Sequence, residues 1–328
     1  MVAFNKGEIN KVGISINTNV AKCRNTYAKP FVKWAGGKGQ LLDAFKQYYP
    51  PLLQKGYIKR YIEPFVGGGA VLFEILQKYN IEEAFIFDIN EDLINAYIVI
   101  KNDLDMLVEY LTSLEQRYLK SKIDVRREIY YEIRDEYNLC THKNKCNQMD
   151  VERAAQFIFL NHTCFNGLYR VNRAGFFNVP SGDYKNPTIC DEKNLYTIST
   201  LLQRVHIFVG DYRESINYIE KGSFVYFDPP YRPLNSTSNF TSYSKFDFTD
   251  EDQIQLAHFF AEMSNTGALL MLSNSDPNNE DPEDTFFNEL YERFYIHRIK
   301  AKRSINSKGQ GRGLVGELLI TNYLVNNI

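Results

Sequence analysis

The 328-residue chain has no apolar run approaching the roughly 18 residues of a membrane-spanning helix. Its N-terminus has no hydrophobic signal core, so a cytoplasmic protein with no membrane partner is expected. Cysteine is scarce: Cys23, Cys140, Cys146, Cys164 and Cys190 make an odd set of five, and reduced thiols are the expectation rather than a disulfide framework. "CTHKNKC" brings Cys140, His142 and Cys146 close in sequence. No second ligand cluster at zinc-finger spacing accompanies it, so these read as ordinary loop residues and no metal is expected. An excess of one charge is also missing. Thirty-eight basic against 40 acidic residues leave a net charge of −2, which speaks against indiscriminate polyanion binding. Finally, "WAGGKGQLL" lacks the G-x-x-x-x-G-K-[ST] spacing of a phosphate loop, because Gly39 and Gln40 follow Lys38. That demotes nucleotide hydrolysis.

What is present is enough apolar sequence, 44%, for a sizeable core. Residues 1–28, with Asn5, Asn10, Asn17, Asn19 and Asn25 and no clear periodicity, read as a loose tail. From Pro30 the pattern becomes strand, turn and helix. "RYIEPFVGGGAVLFEIL" is strand-like to Ile62, turns at Gly67-Gly68-Gly69 and runs helically from Ala70. "AFIFDIN", "VHIFVGDY", "FVYFDPPY" and "GALLMLSNSD" supply further short apolar strands, three of them ending in Asp88, Asp211 and Asp228. Repeats of this kind predict an open α/β sheet, with ligands beyond the carboxyl ends of its strands. Residues from about Glu91 to Phe159 are long, helical and charged. They precede "NHTCFNGLYRVNRAGFFNVPSG", where Asn172 to Gly175 read as a turn between strands Leu168–Val171 and Phe176–Val179. The expected division is therefore a catalytic part, 29–90 and 190–328, interrupted by an insert, 91–189.

Two stretches carry chemistry. "EPFVGGGA" lets backbone approach a ligand at a helix N-terminus, and Asp88 at the next strand end suits a ribose diol. Leu72 stands where a dinucleotide fold would want a further glycine, so a single nucleoside is the better fit. Lys38 sits among glycines beside Trp34, the sole tryptophan, and is read either as a surface lysine or as part of a ligand site. "FDPPY" combines an acceptor, Asp228, with carbonyls of the proline-linked peptides and a ring, Tyr231. Together they would hold a planar amine by its hydrogens and its π-face. A basic run, Arg293, Arg298, Lys300, Lys302, Arg303, Lys308 and Arg312, follows an acidic one from Asp276 to Glu292. The two read as solvated faces or as a local phosphate-contacting surface.

"KWAGGK", "EPFVGGGAV", "FDIN", "NHTCFNGLYRVNRAGFFNVPSG", "GDY", "FDPPY" and "SNSD" occur in the order found in Dam-like, D12-family DNA adenine methyltransferases, and from about Pro30 to Tyr323 the chain resembles them. The resemblance implies an α/β class I S-adenosylmethionine-dependent methyltransferase fold, a Rossmann-like mixed sheet flanked by helices, with an inserted helical target-recognition domain carrying a β-hairpin. It implies S-adenosyl-L-methionine as cofactor, with Trp34, Lys38, Asp88 and Asp228 lining its site, Glu63, Phe65, Gly67 and Gly69 shaping the methionine pocket, and Asp211 near the adenine. At Gly69 a different small residue is common in the family, and the exchange is expected to be harmless. Asp228, Pro229, Pro230 and Tyr231 would hold the target base. Lys33 would touch the first guanine, Phe165 and Asn166 the gap left by the base, and Arg170 a guanine edge. Leu168, Asn172 and Pro180 would line the hairpin. These positions point to 5′-GATC-3′ in double-stranded DNA. A bacterial or phage enzyme is implied, acting as a monomer, with a cognate restriction endonuclease as candidate partner. Amine methylation of cytosine and a non-catalytic DNA-binding module are the alternatives.

Overall fold

Five apolar segments that end in acids or turns become the parallel strands of one sheet. In this computed structural model the described residues are 27–143, 151–232, 248–279, 281–302 and 314–325. The tail through residue 26, the side chains of the Cys140–Cys146 stretch and the basic residues Arg303, Lys308 and Arg312 lie outside them. Helices α1 (Leu42–Phe45) and α2 (Pro51–Gln54) precede β1 (Arg60–Glu63), α3 (Ala70–Lys78) and β2 (Glu83–Asp88). The chain then runs through α4 (Glu91–Asn102), α5 (Leu104–Lys120), α6 (Ile123–Lys143), α7 (Val151–Thr163) and α8 (Glu192–Leu202) before returning as β3 (Val205–Val209). It continues through β4 (Phe224–Phe227), α9 (Asp250–Ser264), β5 (Leu269–Ser275), α10 (Phe286–Leu290), β6 (Tyr295–Lys302) and β7 (Leu314–Thr321). No described helix is long and apolar enough to cross a membrane.

The sheet has seven strands in the order β3-β2-β1-β4-β5-β7-β6. The first five run parallel, and β7 enters antiparallel between β5 and β6. Side chains alternate across it, as the two-residue period requires. Tyr61, Phe224 and Tyr226 join one apolar core with α3, α4 and α7. Ile62, Val225 and Phe227 join the other, with Leu256 and Phe260 of α9. All four residues of β4 are buried, which explains its unbroken apolar sequence. Strands β6 and β7 were not anticipated. In β6 the residues Arg298, Lys300 and Lys302 hide the strand signal, and they stand on a sheet edge, where charge guards against further pairing.

The predicted turn at Asn172–Gly175 forms, but the two expected strands reduce to a single bridge, Val171 to Phe177. The reason is competition for backbone groups. Asn172 Oδ1 accepts from Ala174 and Phe176 N–H, and the second of these is a donor the ladder would have paired with the Asn172 carbonyl. Asn138 of α6 binds the N–H and carbonyl of Phe177, which face away from the partner segment.

Asn161, fully buried near the end of α7, ties the segment before α1 to the insert. Its amide accepts from Lys33 N–H at 2.8 Å, donates to the Lys33 carbonyl at 2.9 Å and reaches the Gly167 carbonyl at 3.3 Å. Removing it orphans buried backbone groups. Asn161→Ala is expected to lower the unfolding free energy by about 1–3 kcal/mol, read by denaturant titration; unchanged stability would show that the tie contributes nothing.

Candidate active site

Strand order reverses direction at β1, whose neighbours β2 and β4 lead the chain to opposite sides. Open α/β sheets bind ligands at that crevice, beyond the strand carboxyl ends. Glu63 ends β1, and Asp228 follows directly on β4. Lys38 reaches in from the glycine-rich segment before α1. It is 3% exposed, so the reading as a surface lysine is excluded. Its Nζ contacts both carboxylate oxygens of Asp228, at 2.6 and 2.7 Å, and donates to the Gly36 carbonyl at 2.7 Å. Asp228 Oδ1 also accepts from the Ser273 hydroxyl at 3.0 Å, and Ser273 in turn pairs with the Tyr226 hydroxyl at 2.8 Å. Burial pushes the Asp228 carboxyl above the usual range, while Lys38 and Ser273 pull it back. Nearby Glu63 is buried and accepts from the Tyr61 hydroxyl at 2.7 Å. Burial pushes its carboxyl well up, and the charge of Asp228 adds to the effect.

The turn between β1 and α3 holds left-handed backbone at Gly67 (φ 48°) and Gly69 (φ 74°). A Cβ on Gly67 would lie 2.8 Å from Trp34 Cδ1, so the indole presses on this turn. Gly69 is packed more closely still. A Cβ there would come within 2.4 Å of the Tyr97 hydroxyl, which donates to the Gly67 carbonyl at 3.0 Å. Asp88, at the end of β2, accepts from Gly67 N–H at 3.1 Å and Asn90 N–H at 2.9 Å. Burial pushes its carboxyl up to about 6 against those donors. Phe65 stacks on Tyr212 at 5.4 Å beside the turn. Asp211 reaches the same sheet end, since Gly210 N–H bonds to the Asp88 carbonyl. Its carboxylate, however, caps the short helix Tyr212–Asn217 and pairs with Arg213 at 2.9 Å.

Beyond Asp228 the chain is braced by residues that sequence reading did not single out. The Pro230 carbonyl accepts from Gln253 Nε2 of α9 at 3.0 Å, and Gln253 is held by Asn274 of β5 at 3.1 Å. Pro230 therefore spends its carbonyl on the scaffold. Tyr231 donates its hydroxyl to Glu317 of β7 at 2.7 Å, and Lys38 Nζ lies over its ring, 4.6 Å from the centroid. Arg232 forks onto Asp250 and Asp284. A carboxylate, a proline-linked backbone and a ring thus converge as "FDPPY" implied.

The insert presents a second set. Arg170 is exposed, with Nε held by Asn178 Oδ1 at 2.9 Å, which leaves the far end of its guanidinium outward. Asn172 spends its side chain on the turn, and the Pro180 carbonyl accepts from Phe165 N–H. The Phe165 ring is 53% exposed, Leu168 is exposed beside it, and Asn166 between them adopts φ 58°. Lys33 packs its stem against Gly167 and sets Nζ over Tyr184 at 4.5 Å. Tyr169, next to Arg170, is buried and stacks on Trp34 at 5.5 Å, and Asp92 anchors its hydroxyl together with Arg153 and Tyr137. Of the basic run, Arg298 is occupied by Asp276 at 3.0 Å and by Asn278 and Asn288, so the neighbouring acidic and basic stretches pair with each other here.

Comparison with known proteins agrees with this geometry. The family D12 class N6 adenine-specific DNA methyltransferase matches residues 34–305. The chain is 55% identical to the type II methyltransferase M.MjaIII of Methanocaldococcus jannaschii over 90% of its length and 99% of that protein's. It is 38% identical to type II methyltransferase M1.LlaDCHI of Lactococcus lactis subsp. cremoris, over 90% and 95%. It is 35% identical to the DNA adenine methylase of Escherichia coli K12, over 89% and 94%. The match favours adenine over cytosine and an enzyme over a bare binding module. The chain belongs to the D12 class N6 adenine-specific DNA methyltransferases, a family that uses S-adenosylmethionine as methyl donor.

Proposed function

We propose that this enzyme methylates the N6 amine of an adenine swung out of double-stranded DNA, within 5′-GATC-3′, at the pocket formed by Lys38, Asp228 and Tyr231. The observation that carries the reading is the Asp228 carboxylate, oriented by Lys38 and Ser273 beside the Tyr231 ring. The pocket suits the cofactor. Its glycine turn brings left-handed backbone to the crevice, and three carboxyl groups, from Glu63, Asp88 and Asp228, stand at the ends of β1, β2 and β4, with Lys38 paired to Asp228. Such a set favours a ligand that carries positive charge. S-Adenosylmethionine, when bound, supplies a methyl group on a sulfonium. Asp88 would hold the ribose hydroxyls with its remaining lone pairs. Glu63 and Phe65 would flank the methionine portion, with Trp34 behind Gly67 and Asp211 towards the adenine.

The chain's own residues then do three things. Asp228 and the Pro229 carbonyl accept hydrogen bonds from the exocyclic amine, which localises a lone pair otherwise delocalised into the ring. Tyr231 stacks on the base and offsets part of the cost of taking it from the duplex. Fixed geometry accounts for much of the acceleration, since aligning two reactants is worth up to roughly 7–11 kcal/mol. The proton leaves late, once methylation has made the amine acidic, and Asp228 is placed to take it. We assign recognition to 91–189 and catalysis to 29–90 and 190–328. In the insert Arg170 reads a guanine edge, while Lys33, from the segment before α1, touches the first guanine. Phe165 and Asn166 face the gap left by the displaced base, and Leu168, Asn172 and Pro180 line the recognition hairpin. The type II names of two relatives support a companion endonuclease, and we take the enzyme to act as a monomer.

Asp228→Ala is expected to abolish methyl transfer while DNA binding persists; undiminished turnover would remove Asp228 from the chemistry. Cofactor affinity is expected to tighten as pH rises through about 6, because Asp88 ionises there, and Asp88→Asn should lose that inflection. Calorimetric titration with cofactor at a series of pH values reads it. Arg170→Ala should cost about 1–3 kcal/mol of discrimination at one base pair, with cofactor binding kept. Methylation of single-substituted duplexes, with single-molecule sequencing for the modified base, tests both the site and the residue.

A further inference from the structure

We propose that Glu317 is a positioning residue for the reaction: its carboxylate fixes the Tyr231 ring against which the target base stacks. The proposal rests on the reading of Tyr231 given above. The Tyr231 hydroxyl donates to Glu317 Oε2 at 2.7 Å, the length of a strong charge-assisted bond. Glu317 is well placed to act as a fixed point. It lies in β7, where its backbone stands opposite Ser275 of β5 and Ile299 of β6. A strand with partners on both sides moves little.

The bond matters because of what else holds the ring. At its root, Tyr231 is flanked by Pro230, whose carbonyl is held by Gln253, and by Arg232, which is forked onto Asp250 and Asp284. The backbone is therefore pinned on both sides, while the ring turns about two side-chain torsions. A bond at the far end of the ring restricts both at once. Lys38 Nζ approaches one face of the ring, a cation–π contact that steadies it without setting its direction. The phenol stays a donor throughout, because burial and the charges of Asp228 and Glu317 hold it in its neutral form. Glu317 touches no reacting atom in this reading and acts only through Tyr231.

The test uses the full chain, a duplex containing the target site, and 2-aminopurine in place of the target adenine as a fluorescent report of base extrusion. Glu317→Ala is expected to lower kcat by about ten- to a hundredfold and to weaken the extrusion signal, with cofactor affinity held within about twofold. Glu317→Gln keeps an acceptor for the phenol and should recover most of the loss. Tyr231→Phe should reproduce Glu317→Ala, and adding Glu317→Ala to Tyr231→Phe should cost nothing further. Equal losses from Glu317→Ala in both backgrounds would overturn the proposal, as would wild-type kcat in Glu317→Ala. If Glu317→Ala fails to fold, as judged by cofactor binding and thermal unfolding, the comparison of Glu317→Gln with Tyr231→Phe decides: Phe must be impaired and Gln near wild type. Tyr231→Ala separates the two layers of the argument. Its full activity would sink the stacking role itself, whereas an inactive Tyr231→Ala beside an unaffected Glu317→Ala sinks only the positioning role.

Discussion

The buried ion pair between Lys38 and Asp228 is the constraint around which this site is built. A lysine so fully enclosed is unfavourable without a partner, and an aspartate beyond the end of a core strand is equally so. Each makes the other tolerable. The pair also joins chain segments 190 residues apart, the glycine-rich segment before α1 and the end of β4. Because the lysine approaches both oxygens and Ser273 holds one of them, the carboxylate has little freedom to rotate. A hydrogen-bond acceptor aimed in advance need not reorganise when its substrate arrives, which is where preorganised sites gain most of their effect.

Around that pair the protein arranges rigid support on elements far apart in sequence. Four groups, on β5, α9 and β7, brace the segment after β4: Ser273 holds Asp228, Gln253 (itself held by Asn274) holds Pro230, and Glu317 holds Tyr231. Three of the four are fully buried polar side chains. Polar groups in such places are costly unless satisfied, and here each finds its partner in the loop or in a neighbour that grips the loop. Glu63 shows the complementary logic. Burial and the neighbouring charge of Asp228 raise its carboxyl well above the usual range, while the Tyr61 hydroxyl and Lys38 pull it back.

What could be read beforehand, and what could not, follows from the range of each interaction. "FDPPY" is legible because a strand, an acid, two prolines and a ring are contiguous, and their joint chemistry is short-ranged. Gly67, Asp88 and the five parallel strands are legible for the same reason. Gln253 and Glu317 carry no local mark, since an amide and a strand glutamate gain meaning only from the sheet order that delivers them; Ser273 and Asn274 fall within "SNSD", but the partners they meet do not show in the sequence. Strand β6 was hidden because charges on a sheet edge mimic a solvated surface, and β7, inside the sheet, was hidden by Gly316 and Glu317, which interrupt its apolar run. The recognition hairpin was read with too much regularity, since the Asn172 side chain takes the Phe176 N–H that a ladder would have claimed. The close fit at Gly69 was likewise not legible, since it is Tyr97 of α4 that fills the space beside this glycine.

Trp34 stands where the two halves of the enzyme meet. One side of its indole crowds Gly67 in the turn before α3, and its ring lies parallel to Tyr169, adjacent in sequence to the exposed Arg170. Packed interiors pass on displacements instead of absorbing them. A ligand that shifts this indole from either direction therefore changes the energy of the opposite contact. Thermodynamic reciprocity then makes the effect of small molecule on duplex equal to that of duplex on small molecule, so the order in which the two bind would leave the free energy of the assembled ternary complex unchanged.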